Sequence, residues 1–368
     1  MYRSPYSTTS LVARLFPPPE YLTMPAAGID ISDHAIKYVS LNNHKGTPSL
    51  GAYGKLDLPL DVIERGEITD SGSITKLLRR IRDEYGIFHA HVALPEEHAY
   101  LFQMELPLAP PAETEQMLEF HLKENVPIGA DEAVFDHNTI RVSKDKQELN
   151  VSVYPLTIAL QYARAFEDAG IRPLSLEIEG QATARALLDS RGERPTLVVD
   201  IGRNDASLSI SMRGNVTFTA GLEAGGDDLT RAIARALDVS FQEAEKLKRS
   251  HGFSDTRESH LVYNALLPVI SDMADTIRKH LMYWQIHIGN TSSKEHSEIE
   301  RVVLAGGNAN MHGLVEYLEA SLGVPVEVGN VWHNILSFDE QVPGIHAHEA
   351  LEYATSVGLA LRSLSRSI

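Results

Sequence analysis

The chain has 368 residues, 43% of them hydrophobic and 23% charged, enough for two buried cores and free of the bias of a disordered protein. A formal net charge of −17 disfavours nucleic acid and anionic lipid surfaces as primary partners, since both demand a basic face. Cysteine is absent, which excludes a disulfide framework, thiolate chemistry and Cys-based zinc sites, and no apolar run approaches the length of a membrane span.

Residues 1–24 read as an extension ahead of the folded core. Leu11 to Phe16 is too short for a secretory core and runs into Pro17, Pro18 and Pro19, where helix is excluded, so a disordered leader or a docking peptide is expected. From Ala27 the stretch AGIDISDHAIKYVSL carries apolar residues into Asp30, a short polar turn, and an alternating strand from Ile36 to Leu41 with Lys37 at its start. SLGAYGKLDLP continues as a third strand, SITKLLRRIRDEY (73–85) has helical spacing with Ser73 at its start, and His91 to Leu94 returns as a strand. Between Tyr100 and Ile178, entered at Pro107, Pro110 and Pro111, the pattern becomes strand, helix, strand, strand, helix, strand. That is the size of a small self-contained unit.

The second half repeats the opening theme. LVVDIGRNDASLSI (197–210) runs apolar residues into Asp200, turns at Gly202 and resumes an alternating strand; Gly202 lets the backbone approach a ligand, turn N–H groups suit phosphate oxygens, and Asp200 suits a hydrated cation. Gly225 and Gly226 precede a helix over 227–237, and a further helix over Phe241 to Ser250 places Glu245 and Lys248 on one face, where by pattern alone they form a surface ion pair of little worth. Leu261 to Ile288 reads as a long helix. RVVLAGGNANMHGL (301–314) is a strand broken by Gly306 and Gly307 before a helix, and a last helix over Glu349 to Ser363 contains YATSVGLALR.

Two phosphate-type hairpins far apart in one chain suggest a cleft between related halves. The three glycine-bearing stretches resemble, in order, the first phosphate, second phosphate and adenosine motifs of the actin, heat-shock chaperone and sugar-kinase superfamily. Within it the chain resembles most the PilM family of type IV pilus assembly proteins, with the FtsA cell-division family next, over about nine-tenths of its length. The resemblance implies an α/β, two-lobed actin-like (ribonuclease H-like) ATPase fold, with a first lobe over 25–190, an FtsA-like subdomain inserted at about 100–178, and a second lobe over 191–368. It also implies ATP and magnesium as cofactors. Asp30 and Asp200 would flank magnesium through water, with Ser32 in the first phosphate turn and Lys37 reaching the terminal phosphates. Gly202, Asn204, Gly225 and Gly226 would approach the phosphates and sugar, Glu245 and Lys248 the ribose and adenine, and Gly306, Gly307 and Asn308 would pass under the adenine. Two carboxylates and a lysine around magnesium and a polyphosphate are mutually compensating.

Ser32 and Asp33 stand where the family usually has Gly and then Ser or Thr, and Asp33 beside phosphate oxygens is repulsive unless Arg203 points inward to offset it. Hydrolysis is therefore expected to be slow at most, and pattern names no residue to orient the attacking water. The PilM likeness implies a cytoplasmic scaffold, peripheral to the inner membrane, that docks the cytoplasmic tail of a PilN-type inner-membrane protein in a groove between Ile87 to Leu106 and Leu118 to Val126. Other pilus platform components and self-association are further partners it implies, with no nucleic acid and no direct membrane insertion. The alternatives are an FtsA-like division protein, which needs a membrane-binding C-terminal helix not expected here, and a small-molecule kinase of the same superfamily. His89 with His91, or His346 with His348, share a strand face by alternation, but neither pair has a third ligand for a metal.

Overall fold

The computed structural model describes residues 25–44, 47–287, 298–335 and 343–364; the expected extension over 1–24 lies outside them. Strand β1 (Ala27–Ile31) turns through Ser32–His34 into β2 (Ala35–His44), which pairs antiparallel with it and sets Asp30 opposite Lys37. β3 (Thr47–Asp57) follows on the far side of β2. A two-stranded hairpin not foreseen from the sequence comes next, β4 (Ile63–Glu64) and β5 (Glu67–Ile68); its turn residues Arg65 and Gly66 both have positive φ, 50° and 76°, as a tight two-residue turn requires.

Helix α1 (Ser71–Tyr85) begins two residues before the expected Ser73, because Asp70 caps it by accepting a hydrogen bond from the Ser73 amide at 3.1 Å. Gly86 closes it in the left-handed conformation, and Ile74, Leu78 and Ile81 bury one face. β6 (His89–Leu94) then pairs parallel with β1, leaving Gly28 opposite His91.

The unit expected over Tyr100 to Ile178 is smaller than its sequence pattern suggests. β7 (Tyr100–Pro107), α2 (Pro111–Asn125), β8 (Ala133–Val142) and β9 (Lys146–Pro155) build a separate three-stranded sheet in the order β7-β9-β8, with a core of its own from Leu106, Leu118, Leu122, Val126, Leu149, Val151 and Val153. The next two elements leave it. α3 (Leu156–Asp168) buries Ile158, Tyr162 and Phe166 in the same core as Ile29, Ile36 and Leu78, and β10 (Arg172–Ile178) pairs parallel with β6. Their apolar faces are large and aromatic enough to complete the first sheet, whose order is β10-β6-β1-β2-β3.

α4 (Glu179–Leu187) leads into the second sheet, made by β11 (Thr196–Ile201), β12 (Ala206–Met212), β13 (Asn215–Leu222), β14 (Arg301–Ala305) and β15 (Val326–Val328) in the order β13-β12-β11-β14-β15. In both sheets three consecutive antiparallel strands are followed by two parallel neighbours, so the lobes repeat one topology. Helices α5 (Gly226–Leu237), α6 (Phe241–His251), α7 (His260–His287) and α8 (Leu314–Leu322) belong to the second lobe. The single helix expected over Glu349 to Ser363 is broken into α9 (Ala347–Ala350), one 3-10 turn (Leu351–Tyr353) and α10 (Ala354–Leu364). α10 crosses back to pack on β1 and α4: a Cβ on Gly358 would strike the Ala182 carbonyl group, its carbon only 2.5 Å away, and one on Gly28 would strike the Ser356 carbonyl oxygen. A buried Thr183–Thr355 hydroxyl contact at 3.0 Å joins the same two helices.

The inserted sheet leans on the second lobe. Asn150 on β9 donates to the Val216 carbonyl on β13 at 2.6 Å. Among the described residues no helix is long and apolar enough to cross a membrane.

Candidate functional site

The equivalent ends of β1 and β11 point their turns at one another, and the predicted site residues gather there. Asp30 is 4% exposed and its Oδ2 lies 3.4 Å from Lys37 Nζ. It is not at the hairpin tip but one residue inside the strand, where it pairs with Lys37 across the ladder. Asp200 holds the corresponding place in β11, opposite Ser207 and Ala305. Burial pushes the Asp200 carboxyl up to about 6; Asp30 and Asp205 push the same way, and Lys37 opposes them. Burial works against the Lys37 ammonium too, yet Asp30, Asp200, Glu352 and Glu179 together outweigh it and hold its pKa above the ordinary lysine value.

Three carboxylates that sequence reasoning did not single out complete the cluster. Glu96 and Glu97 sit on the turn after β6, and Glu179 opens α4. Burial pushes Glu96 up to about 8, reinforced by Asp200, Glu97 and Asp205 and eased by the nearby Ser207 hydroxyl; neither of its buried oxygens has a formed hydrogen bond. Glu97 rises to about 7 through burial first and then through the nearby Asp205 and Asp33 carboxylates. Glu179 is held well above the ordinary glutamate value by burial first and then by Asp30, Glu97, Glu96 and Asp205. The only local hints were the Pro-Glu-Glu after a strand and the Glu-Gly opening a helix, neither of which has a periodic signature.

The glycine turns of the second lobe are packed tightly against one another beside these acids. A Cβ on Gly225 would come within 2.5 Å of the Asp205 amide nitrogen, and one on Gly226 within 2.6 Å of Asn308 Oδ1. Gly306, at φ 83°, has the Ile201 carbonyl 2.5 Å from where its Cβ would be and would also strike Asp200 Oδ1. Asn308 Nδ2 donates to the Gly202 carbonyl at 2.8 Å, and the Gly226 amide donates to the same oxygen at 3.0 Å. Gly202, Gly225, Gly226, Gly306 and Asn308 are thus one rigid framework. Gly307 lies on its rim against Glu352.

Glu245 and Lys248 are not the surface pair that their pattern alone suggests. Lys248 is 6% exposed and donates to the Gly226 carbonyl at 2.9 Å and to Thr230 Oγ1 at 2.9 Å, while its ammonium meets Glu245 Oε2 at 2.8 Å. All three donors are occupied, so Lys248 supports the glycine turn from behind. Burial alone would raise the Glu245 carboxyl, but hydrogen bonds from Lys248, Thr230 and Arg249 outweigh it and bring it to about 2. Burial lowers Lys248 despite Glu245.

Other expected groups are spent on local structure. Ser32 donates its hydroxyl to the Ala35 carbonyl at 3.2 Å. Asp33 accepts from the Gly66 amide at 3.4 Å. Arg203 points outward to Asp227 at 3.2 Å with 62% of its side chain exposed, so it does not offset Asp33. His89 and His91 share a face of β6, where His91 contacts Ser175 Oγ at 2.7 Å. His346 and His348 lie at the start of a helix rather than on a strand, their rings 5.7 Å apart. No three His, Asp or Glu side chains are grouped to hold a metal directly among the described residues.

Twin lobes of one topology, with equivalent strand-end aspartates beside a glycine framework, define the actin-like class. Solved structures of that class share the fold: MreB5 of Spiroplasma citri bound to ADP superposes with a TM-score of 0.57 at 12% identity over 95% of this chain and 98% of the other. A sequence profile described as Type IV pilus assembly protein PilM matches residues 28–364, and the chain belongs to that family. A solved PilM-PilN type IV pilus biogenesis complex contains a chain that superposes with a TM-score of 0.77 at 23% identity, over 92% of this chain and 98% of that one. The ethanolamine utilization protein EutJ of Escherichia coli (strain K12) is 30% identical over 151 residues, 41% of this chain and 45% of its own length. The cell division protein FtsA of Enterococcus hirae is 26% identical over 190 residues, 47% of this chain and 42% of its own. The chain thus spans less than half the length of these two curated relatives.

Proposed function

We propose that this member of the PilM family is an ATP-binding, actin-like scaffold on the cytoplasmic side of a type IV pilus inner-membrane platform, where it docks the short tail of a PilN-type membrane protein. The observation that carries the reading is the convergence of Asp30, Lys37 and Asp200 on a glycine framework where added Cβ atoms would collide with Asn308, Asp200 and neighbouring backbone. Those closely packed glycine turns would lie against a flat base and a ribose. ATP would supply a polyphosphate reaching both lobes, with magnesium to compensate its charge. Asp30 and Asp200 would hold that magnesium through water, in keeping with two strand-end carboxylates and no three-ligand group among the described residues. Lys37 would meet the phosphates, Gly225, Gly226 and Asn204 would border them, and Gly306, Gly307 and Asn308 would lie under the base. Glu179, whose carboxyl burial and the neighbouring acids hold well above the ordinary glutamate value, would be the group to orient a water, with turnover slow at most. MreB5, of the same fold, has been solved with ADP and with AMPPNP.

For the partner, Tyr100, Phe102 and Met104 of β7 are half-buried and pack with Leu118 and Leu122 of α2 and with Val126 just beyond it. This apolar strip fits a short extended peptide, and the likeness to the PilM chain of the solved PilM-PilN complex supports a PilN-type tail as its source.

Calorimetric titration of ATP with magnesium should give saturable binding to the native chain and none to Asp200→Ala. A synthetic PilN-tail peptide should bind the native chain and lose most of its affinity against Phe102→Asp. Equal nucleotide binding by both proteins, or undiminished peptide binding by the variant, refutes the corresponding half of the proposal.

A further inference from the structure

The two lobes are tied together at the mouth of the cleft by a contact that the nucleotide reading does not use. His34 Nε2 of the first hairpin tip lies 2.6 Å from Asn204 Oδ1 of the second. An amide oxygen only accepts, so the imidazole donates. The two residues are 170 apart in sequence and stand on opposite lobes, and each is anchored to a rigid support.

On the first lobe, the His34 carbonyl accepts from the Leu58 amide at 2.7 Å, and the Ser32 amide closes the turn on the Ala35 carbonyl at 3.0 Å. On the second, Asn204 packs directly against Gly225, the Arg203 carbonyl accepts from the Asp227 amide at 2.7 Å, and Gly202 is pinned by Asn308. The tip carrying Asn204 therefore moves only with the whole glycine framework.

We propose that His34 and Asn204 form a latch that holds the lobes closed in the empty protein and that a nucleotide's phosphates must displace. A phosphate oxygen only accepts, so it would take the His34 N–H that otherwise goes to Asn204 Oδ1; entry exchanges one hydrogen bond for another, and the latch lowers nucleotide affinity. The affinity half rests on the ATP reading above. The closure half does not, since it concerns the empty protein.

The absence of cysteine makes the test direct. Spin labels on Lys76→Cys in α1 and Arg235→Cys in α5, both exposed, report the separation of the lobes by pulsed electron resonance in the full chain. Without nucleotide, the parent and His34→Gln, whose amide still donates, should give one narrow distance, whereas His34→Ala should add a broad, longer component. Calorimetry should then show His34→Ala binding magnesium ATP about fivefold tighter than the parent, the factor expected when one hydrogen bond is lost from the empty state alone. Unchanged distances in His34→Ala, or weaker nucleotide binding by it, overturn the latch. Broadened distances with no nucleotide binding by any of the proteins leave the latch standing and refute the ATP reading instead.

Discussion

Glu96 offers the sharpest test of how the cleft is built, because the folded protein holds its proton far more tightly than the unfolded chain does. It is 8% exposed, its oxygens are unpartnered, and burial with Asp200, Glu97 and Asp205 moves it from 4.5 to about 8. A proton bound more strongly in the native state favours folding below about pH 4.5, and that advantage is lost progressively as pH rises to about 8. The full gap corresponds to about 5 kcal/mol, and relaxation and water entry reduce it to about half or more of that. Glu96→Gln removes the titration and keeps the shape, at a constant cost of about 1–2 kcal/mol for a buried amide without partners. Urea unfolding of both proteins across pH 4.5 to 9 should therefore show the variant slightly less stable at the acid end and gaining on the parent by about 2–5 kcal/mol toward the alkaline end. The gain should level off above about pH 8, where the native carboxyl is ionised as well. A difference between the two curves that stays constant with pH would refute the assignment of Glu96 as a buried, protonated acid.

Gly358→Ala in α10 should lower stability by about 1–3 kcal/mol although alanine is the better helix former, because the new methyl meets the Ala182 backbone; Gly221→Ala, with open space around it, is the control and should change little in chemical unfolding. Gly306→Ala should cost about 1–3 kcal/mol from its positive φ and its collision with Asp200 and Ile201, and should abolish binding of a fluorescent ATP analogue. Lys248→Met leaves Glu245 and the Gly226 carbonyl without their buried donor and should weaken nucleotide binding about tenfold or more, through loss of the turn's support, as read by calorimetry.

The parts of this molecule that follow local rules were readable in the chain. Apolar runs ending at Asp30 and Asp200 are strands because short aliphatic and β-branched runs fit a sheet buried on both faces, and Gly225, Gly226 and Gly306 mark close approaches where a Cβ would collide. What escaped is tertiary. α3 and β10 follow the inserted sheet without a break in pattern, and only the burial of Tyr162 and Phe166 beside Ile29 shows that they belong to the first lobe. Glu96, Glu97 and Glu179 read as ordinary surface acids, since burial of a short turn between two lobes leaves no periodic trace. The hairpin around Arg65 and Gly66 is too short to carry one either.

Lys248 shows why spacing alone misjudges such a site. Three residues apart on a helix, it and Glu245 are indistinguishable from the many exposed pairs that contribute little, such as Lys246 with Glu243 one turn away at 3.9 Å. The difference is what lies above the helix. Thr230 and the Gly226 carbonyl reach the ammonium only because α5 packs across α6, and once they do, the charge is buried and fully bonded. A buried cation bonded to the backbone of a glycine turn stiffens that turn. The same logic places Asn308 beneath Gly202 and Asn204 against Gly225, so that side chains far apart in sequence hold the glycines in position and leave the His34 contact to set how far the two lobes stand apart.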